Sequence, residues 1–115
     1  YARQFYHAIE SHDVGFGERL KTAMAECRAV MEPFIKSRYD GALDVTIEEI
    51  CDRMNTVRNG IAHSRLDLNL EAIHLNDLKI IEELLYAMRL QYLHIGSRSI
   101  RIGIKKLFGE NIAVE

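Results

Sequence analysis

The chain has 115 residues, 48% of them hydrophobic and 28% charged. That balance excludes a disordered chain, and the length suits a single domain (residues 1–115) able to bury roughly two-thirds of its unfolded surface. With 15 basic residues against 17 acidic ones and a formal charge of −2, nucleic-acid binding by bulk charge is excluded, so any such role needs a local basic patch.

The chain opens on Tyr1, and Ala2, Phe5, Tyr6 and Ile9 already form one helical face. The sequence is expected to begin inside or just before a helix, as the C-terminal part of a longer protein would. This first helix, over about residues 2 to 12, stops near Gly15 and Gly17. The next carries Leu20, Met24, Cys27, Met31 and Phe34 as one apolar stripe, and Pro33 should kink or end it by removing an amide donor. Residues 37–45 contain Tyr-Asp-Gly and read as a loop.

A capping box, Thr46-Ile-Glu-Glu49, is expected to open the third helix, with the stripe Ile47, Ile50, Met54, Val57 and Ile61. Helix propensity weakens at Asn59-Gly60. Between Leu66 and Leu75, leucines alternate with polar residues and suggest an apolar-anchored loop. The fourth helix, about 76 to 95, has a main stripe of Leu78, Ile81, Leu85, Met88, Tyr92 and Ile95, widened by Ile80 and Leu84. It should be central to the bundle and capped by Gly96. A fifth helix, about 98 to 108, sets Ile100, Ile104, Leu107 and Phe108 opposite Arg98, Arg101 and Lys105. The expected fold is an all-α up-and-down bundle of four to five helices.

No apolar run approaches the roughly 20 residues of a membrane span, and no basic stretch with an apolar core opens the chain. Cys27 and Cys51 sit among apolar residues without metal-ligand spacing and read as buried free thiols in a reducing, cytoplasmic compartment. The carboxylate pairs Glu48-Glu49 and Glu82-Glu83 are consecutive, do not stack on one helix face, and read as solvated surface. His7 and His12 lack a third metal ligand nearby, so no metal and no cofactor is expected.

One segment stands out: Thr56-Val-Arg-Asn-Gly-Ile-Ala-His-Ser64. A neutral imidazole at His63 can take a proton from a ribose 2′-OH. The Arg58 guanidinium can bind a phosphate bidentately and stabilise charge on the pentacoordinate species. The Asn59 amide can orient the imidazole or hold the phosphate. The same spacing recurs at Arg89-Leu-Gln-Tyr-Leu-His94. Asn59 after the arginine, where the second copy has Leu90, favours the first, as does its expected place where a helix runs into a loop. The second copy is expected to lie within a helix.

Arg58-Asn59-x-x-x-His63 at the end of the third helix resembles the R-x(4–6)-H motif of the HEPN superfamily. The long fourth helix ending in Gly96, followed by Arg98 to Phe108, is similar to the Apea-like branch of that superfamily. The resemblance spans roughly residues 16 to 110. It implies a bacterial antiphage toxin of the abortive-infection type: a metal-independent endoribonuclease leaving a 2′,3′-cyclic phosphate and a 5′-hydroxyl. His63 would be the general base, Arg58 the phosphate ligand and Asn59 the orienting group. A non-catalytic HEPN module that dimerises and binds nucleotide or a partner protein is the other reading. A sensor domain would precede Tyr1.

At about 100° per residue, Arg58 and His63 differ by about 140° around a helix, whereas Asn59 and His63 share a face. Either the helix distorts near Gly60 or two copies contribute. The family's solution is a homodimer with facing motifs, and the wide apolar surface of the fourth helix and the end of the third fits it. A tyrosine that some HEPN toxins carry two residues after the histidine is here Arg65, which adds positive charge. Arg65, Arg98, Arg101 and Lys105 form the candidate RNA-binding set.

Overall fold

The computed structural model describes residues 15–62 and 70–112, and everything in them is helix, turn or loop. Five helices follow one another: α1 Gly15–Glu26, α2 Arg28–Arg38, α3 Leu43–Ala62, α4 Ala72–Tyr92 and α5 Ser97–Phe108. The protein is an all-α bundle, as its periodicity implies. The helix expected over residues 2 to 12 lies outside the described residues. The count of five arises because the stripe from Leu20 to Phe34 is carried by two helices, not one.

The break falls at Cys27, which sits between α1 and α2 with φ −103° and ψ 15°. Its amide still donates to the Ala23 carbonyl and its carbonyl accepts from Met31, so the apolar stripe continues across it. Met24, Cys27, Met31 and Phe34 are all fully buried. Pro33 does not end the helix, which runs on to Arg38. A proline at this position leaves the Ala29 carbonyl without its helical donor. The Arg101 guanidinium from α5 fills that gap with a 3.2 Å hydrogen bond to the Ala29 oxygen.

Three boundaries differ from the pattern in the sequence. Helix α3 begins at Leu43, and Thr46, with its amide bonded to the Ala42 carbonyl, is a buried residue of the first turn, not a cap. Gly41, at φ +102°, turns the chain in the left-handed region that glycine occupies without cost, so the helix can start earlier. Helix α4 begins at Ala72, where the Glu71 amide donates to His74 Nδ1 at 2.9 Å and closes the first turn. It ends at Tyr92, and Gly96 is not its cap but the residue that precedes α5.

Helices α1 and α3 run antiparallel. Gly17 lies against Asn55, Lys21 lies between Glu48 and Asp52, and Arg28 pairs with Asp44. The core is built from Val30, Met31, Phe34 and Ile35 of α2, Ile50, Cys51 and Met54 of α3, Ile80, Leu84 and Ala87 of α4, and Ile100 and Ile104 of α5. Burying side chains of this size stabilises the fold by roughly 1.5 to 3 kcal/mol each. Both cysteines are free and buried.

The largest departure concerns α4. The residues it turns inward are Asp77, Ile80, Glu83, Leu84 and Ala87. Leu78, Leu85, Tyr92 and Ile95, four members of its longest apolar stripe, are exposed. Ile80 and Leu84, expected only to widen the face, are fully buried in the core. No described helix is long and apolar enough to cross a membrane.

Candidate functional site

Arg58 and Asn59 lie in the last turns of α3, both half-buried. The helix does not break at Gly60, which is itself buried, and remains helical through Ala62. The antiparallel course of α1 carries Phe16, in its first turn, to this end of α3. The Arg58 guanidinium carbon stands 5.1 Å from the centroid of the Phe16 ring. Its Nη1 donates to Asn59 Oδ1 at 3.5 Å. The cation–π contact and the amide together restrict the guanidinium, at a strength of roughly 0.5 to 2 kcal/mol for the ring contact. The periodic pattern gave no sign of Phe16, because its partner lies 42 positions away on another helix.

His63 and Arg65 lie outside the described residues. Among the described members of the candidate set, the structure brings Arg58 and Asn59 together. The basic residues of α5 are placed elsewhere: among the described residues no Cα of α5 comes within 8 Å of one in α3. Arg98 is exposed, and Arg101 and Lys105 are half-buried. Arg101 also serves the α2–α5 junction through Ala29.

The second copy of the spacing is not mid-helix. Arg89 is in the last turn of α4, the helix ends at Tyr92, and His94 lies beyond it at φ +62°, exposed. Its amide donates to the Gln91 carbonyl at 2.9 Å. A histidine in this left-handed conformation does the work that glycine usually does after a helix. Both copies therefore stand at helix C-termini, and the polar neighbour Asn59 is what distinguishes the first.

The densest polar cluster is one the sequence did not announce. Asp77, fully buried, accepts hydrogen bonds from the Tyr39 hydroxyl at 2.7 Å and from Arg53 Nε and Nη2 at 2.7 and 3.0 Å. Beside it, Arg38 donates to both carboxylate oxygens of Glu110 at 3.1 and 2.8 Å and to Asn76 Oδ1 at 3.3 Å. Burial, together with the Asp77 carboxylate, holds the Tyr39 hydroxyl well above its usual pKa. These bonds tie the end of α2, the middle of α3, the start of α4 and the segment after α5 into one unit.

Glu83 completes the cluster and corrects the expectation of a solvated carboxylate pair: Glu82 is exposed, but Glu83 is fully buried. With Glu83 ionised, neither of its oxygens finds a donor among the described residues; protonated, its carboxyl can donate to the neighbouring Glu110 carboxylate. Burial first, and Glu110 second, push the Glu83 carboxyl up to about 9. Burial also opposes charge on Glu110, but the interactions with Glu83 and Arg38 outweigh it and hold that carboxyl below its usual range.

A stability profile follows. Glu83 holds its proton more tightly folded than unfolded. Its contribution is therefore fully present below the unfolded value near 4.5 and is lost as pH rises through about 9. The slope from this one proton is at most about 1.4 kcal/mol per pH unit. Glu110 acts oppositely, with stability present above 4.5 and lost as pH falls through its lowered value. Glu83→Gln removes the proton uptake. Urea denaturation between pH 5 and 9 should show a shallower decline for the variant than for the natural chain. Equal slopes would mean that Glu83 is not the buried neutral acid.

Among the described residues, no three potential metal-ligating side chains cluster. No family model matches this chain, and neither a curated protein nor a solved structure matches it.

Proposed function

We propose that this chain is a HEPN-type endoribonuclease domain of the Apea-like kind, acting in the cytoplasm in bacterial antiphage defence. The observation that supports it is the placement of Arg58 beside Asn59 in the last turns of α3. In this reading His63 removes the 2′-OH proton and the 2′ oxygen attacks phosphorus. The 5′ oxygen leaves and takes up a proton, giving a 2′,3′-cyclic phosphate and a 5′-hydroxyl. Arg58 binds the non-bridging oxygens, where negative charge grows. Two motifs face each other in a homodimer, since positions five apart, at about 100° per residue, do not share one face of a regular helix. Arg65, Arg98, Arg101 and Lys105 hold the RNA backbone.

The half-burial of Arg58 and its contact with Phe16 favour one rival, a HEPN module that pairs and binds nucleotide or protein without cutting. RNA cleavage by the purified chain, read as 2′,3′-cyclic phosphate ends, separates the two. The imidazole, guanidinium and amide of this site supply proton transfer and charge stabilisation by themselves. Cleavage should therefore persist in excess EDTA. Complete loss on chelation with recovery on adding Mg²⁺ would overturn this chemistry.

A further inference from the structure

The end of α4 brings an aromatic ring and a guanidinium to the edge of one shallow hollow. Leu85, Met88, Arg89, Tyr92 and Leu93 line it, and its volume is about 480 Å³. Leu85, Arg89 and Tyr92, at spacings of four and three, share one side of the helix. The Tyr92 ring is 85% exposed. The other described tyrosines are engaged: Tyr39 donates to Asp77, and Tyr86 meets the Phe108 ring edge-on at 5.9 Å. Tyr92 makes no such contact among the described residues. A ring left in water, with apolar side chains beneath it and a cation beside it, suits a flat partner.

Charge gives that partner its sign. Residues 84–109 hold Arg89, Arg98, Arg101, Lys105 and Lys106 and no Asp or Glu, although acidic residues outnumber basic ones over the whole chain. Among the described residues, Lys21, Arg28, Lys36, Arg38 and Arg53 each meet a carboxylate, whereas Arg89, Arg98, Lys105 and Lys106 do not. Arg89 is exposed beside the hollow. Arg98 is exposed in the first turn of α5, across a connection exposed from residue 92 to residue 99. Glu82, also exposed, lies two turns before Arg89. Glu26, whose carbonyl accepts from Gln91, belongs to the other side of α4, since positions two apart differ by about 200° around a helix. The positive charge at the hollow is therefore open to an anion from outside.

We propose that this hollow holds one unpaired base of a single-stranded RNA, stacked on Tyr92 above Leu85, Met88 and Leu93, with Arg89 on the adjacent phosphate. A nucleotide uses the ring, the apolar floor and the cation together, whereas a bare phosphate would use the arginine alone. A duplex keeps its bases stacked inside and offers the ring no face, so the strand held here is single. Arg98 and the lysines of α5 continue the backbone contacts away from the hollow. The Arg58–Asn59 pair stands at the other end of α1: Phe16 lies against Arg58, and Glu26 lies against Gln91. Ten residues of helix, roughly 15 Å, separate those two ends. The base on Tyr92 therefore belongs to a nucleotide away from the bond to be cut, and the hollow contributes strand binding, not proton transfer.

The class of ligand rests on the proposed function; the hollow, the ring and the charge come from α4 and α5. Binding is read by fluorescence anisotropy with a labelled 2′-O-methyl oligouridylate, whose blocked 2′ oxygen cannot attack phosphorus, so no cleavage is needed. The full chain should bind this strand more tightly than one of equal length with abasic positions. Tyr92→Leu keeps apolar bulk but removes the ring. It should weaken binding roughly tenfold and erase the preference for bases, while Tyr92→Phe keeps both. Arg89→Ala should lower the salt slope by about one phosphate contact. Arg19→Ala, exposed on α1, should leave it unchanged. Helical circular dichroism should be the same in all four variants, whose side chains are exposed. A chain that binds neither strand overturns the proposal. So does a base preference that survives Tyr92→Leu, even where cyclic-phosphate ends show that the chain cuts RNA. Base binding through Tyr92 in a chain that yields no such ends upholds the hollow and removes the nuclease.

Discussion

Replacing His63 with alanine is expected to abolish RNA cleavage while leaving folding and pairing intact. A positioned general base typically contributes about 10² to 10⁴ in rate, so the loss should be visible in a simple gel assay of cyclic-phosphate products. Folding is checked by circular dichroism of the variant, which should match that of the natural chain. His94→Ala is the necessary companion. Because His94 is exposed beyond α4 and not locked within it, it has the access that a catalytic group needs, and only the measurement separates the two motifs. Loss of cleavage on His63→Ala with retention on His94→Ala supports the first motif. The reverse pattern moves the site to Arg89 and His94. Full activity in both variants removes the imidazole from the mechanism.

The helical class was legible because the apolar residues recur at helical spacing nearly throughout. Where periodicity misled, the physical reason is specific. On α4 two stripes overlap, and in the longer one, from Leu78 to Ile95, Leu78, Leu85, Tyr92 and Ile95 are exposed while Ile81 and Met88 pack on the edge of the core. The core takes the shorter set Ile80, Leu84 and Ala87, with Asp77 and Glu83 on the same side, and Asp77 is stabilised there by Tyr39 and Arg53 from outside the helix. Those neighbours are remote in sequence: Arg53 reaches Asp77 across 24 positions and Arg38 reaches Glu110 across 72. A local reading assigns a charged residue to solvent by default, and Glu83 departs from that default because its surroundings come from distant parts of the chain. The inward spacing of Ile80, Glu83, Leu84 and Ala87 was the one available signal. At the site, the neighbours Arg58 and Asn59 could be found by type and spacing. The Phe16 contact could not, since it depends on how α1 lies on α3. The break at Cys27 carried no sequence mark, because the apolar stripe passes through it unchanged.

Asp77→Ala is expected to be the most damaging single truncation in the described polar cluster. The carboxylate is fully buried and accepts three hydrogen bonds, two from one guanidinium and one from a phenol. Alanine leaves the Arg53 charge half-buried without its counter-ion and the Tyr39 hydroxyl without its acceptor. Breaking a buried pair by removing one partner costs roughly 3 to 5 kcal/mol, a large share of the roughly 5 to 15 kcal/mol that holds a domain folded. Tyr39→Phe removes a single neutral donor and should cost about 1 kcal/mol. Arg53→Lys keeps the charge but loses the two-pronged geometry, and should fall between them. The check is urea denaturation at neutral pH: the midpoint should fall in the order Asp77→Ala, Arg53→Lys, Tyr39→Phe, from lowest to highest, with unchanged slope. If Asp77→Ala lies within 1 kcal/mol of the natural chain, the cluster does not join α2, α3 and α4, and the bundle is held by its apolar core alone.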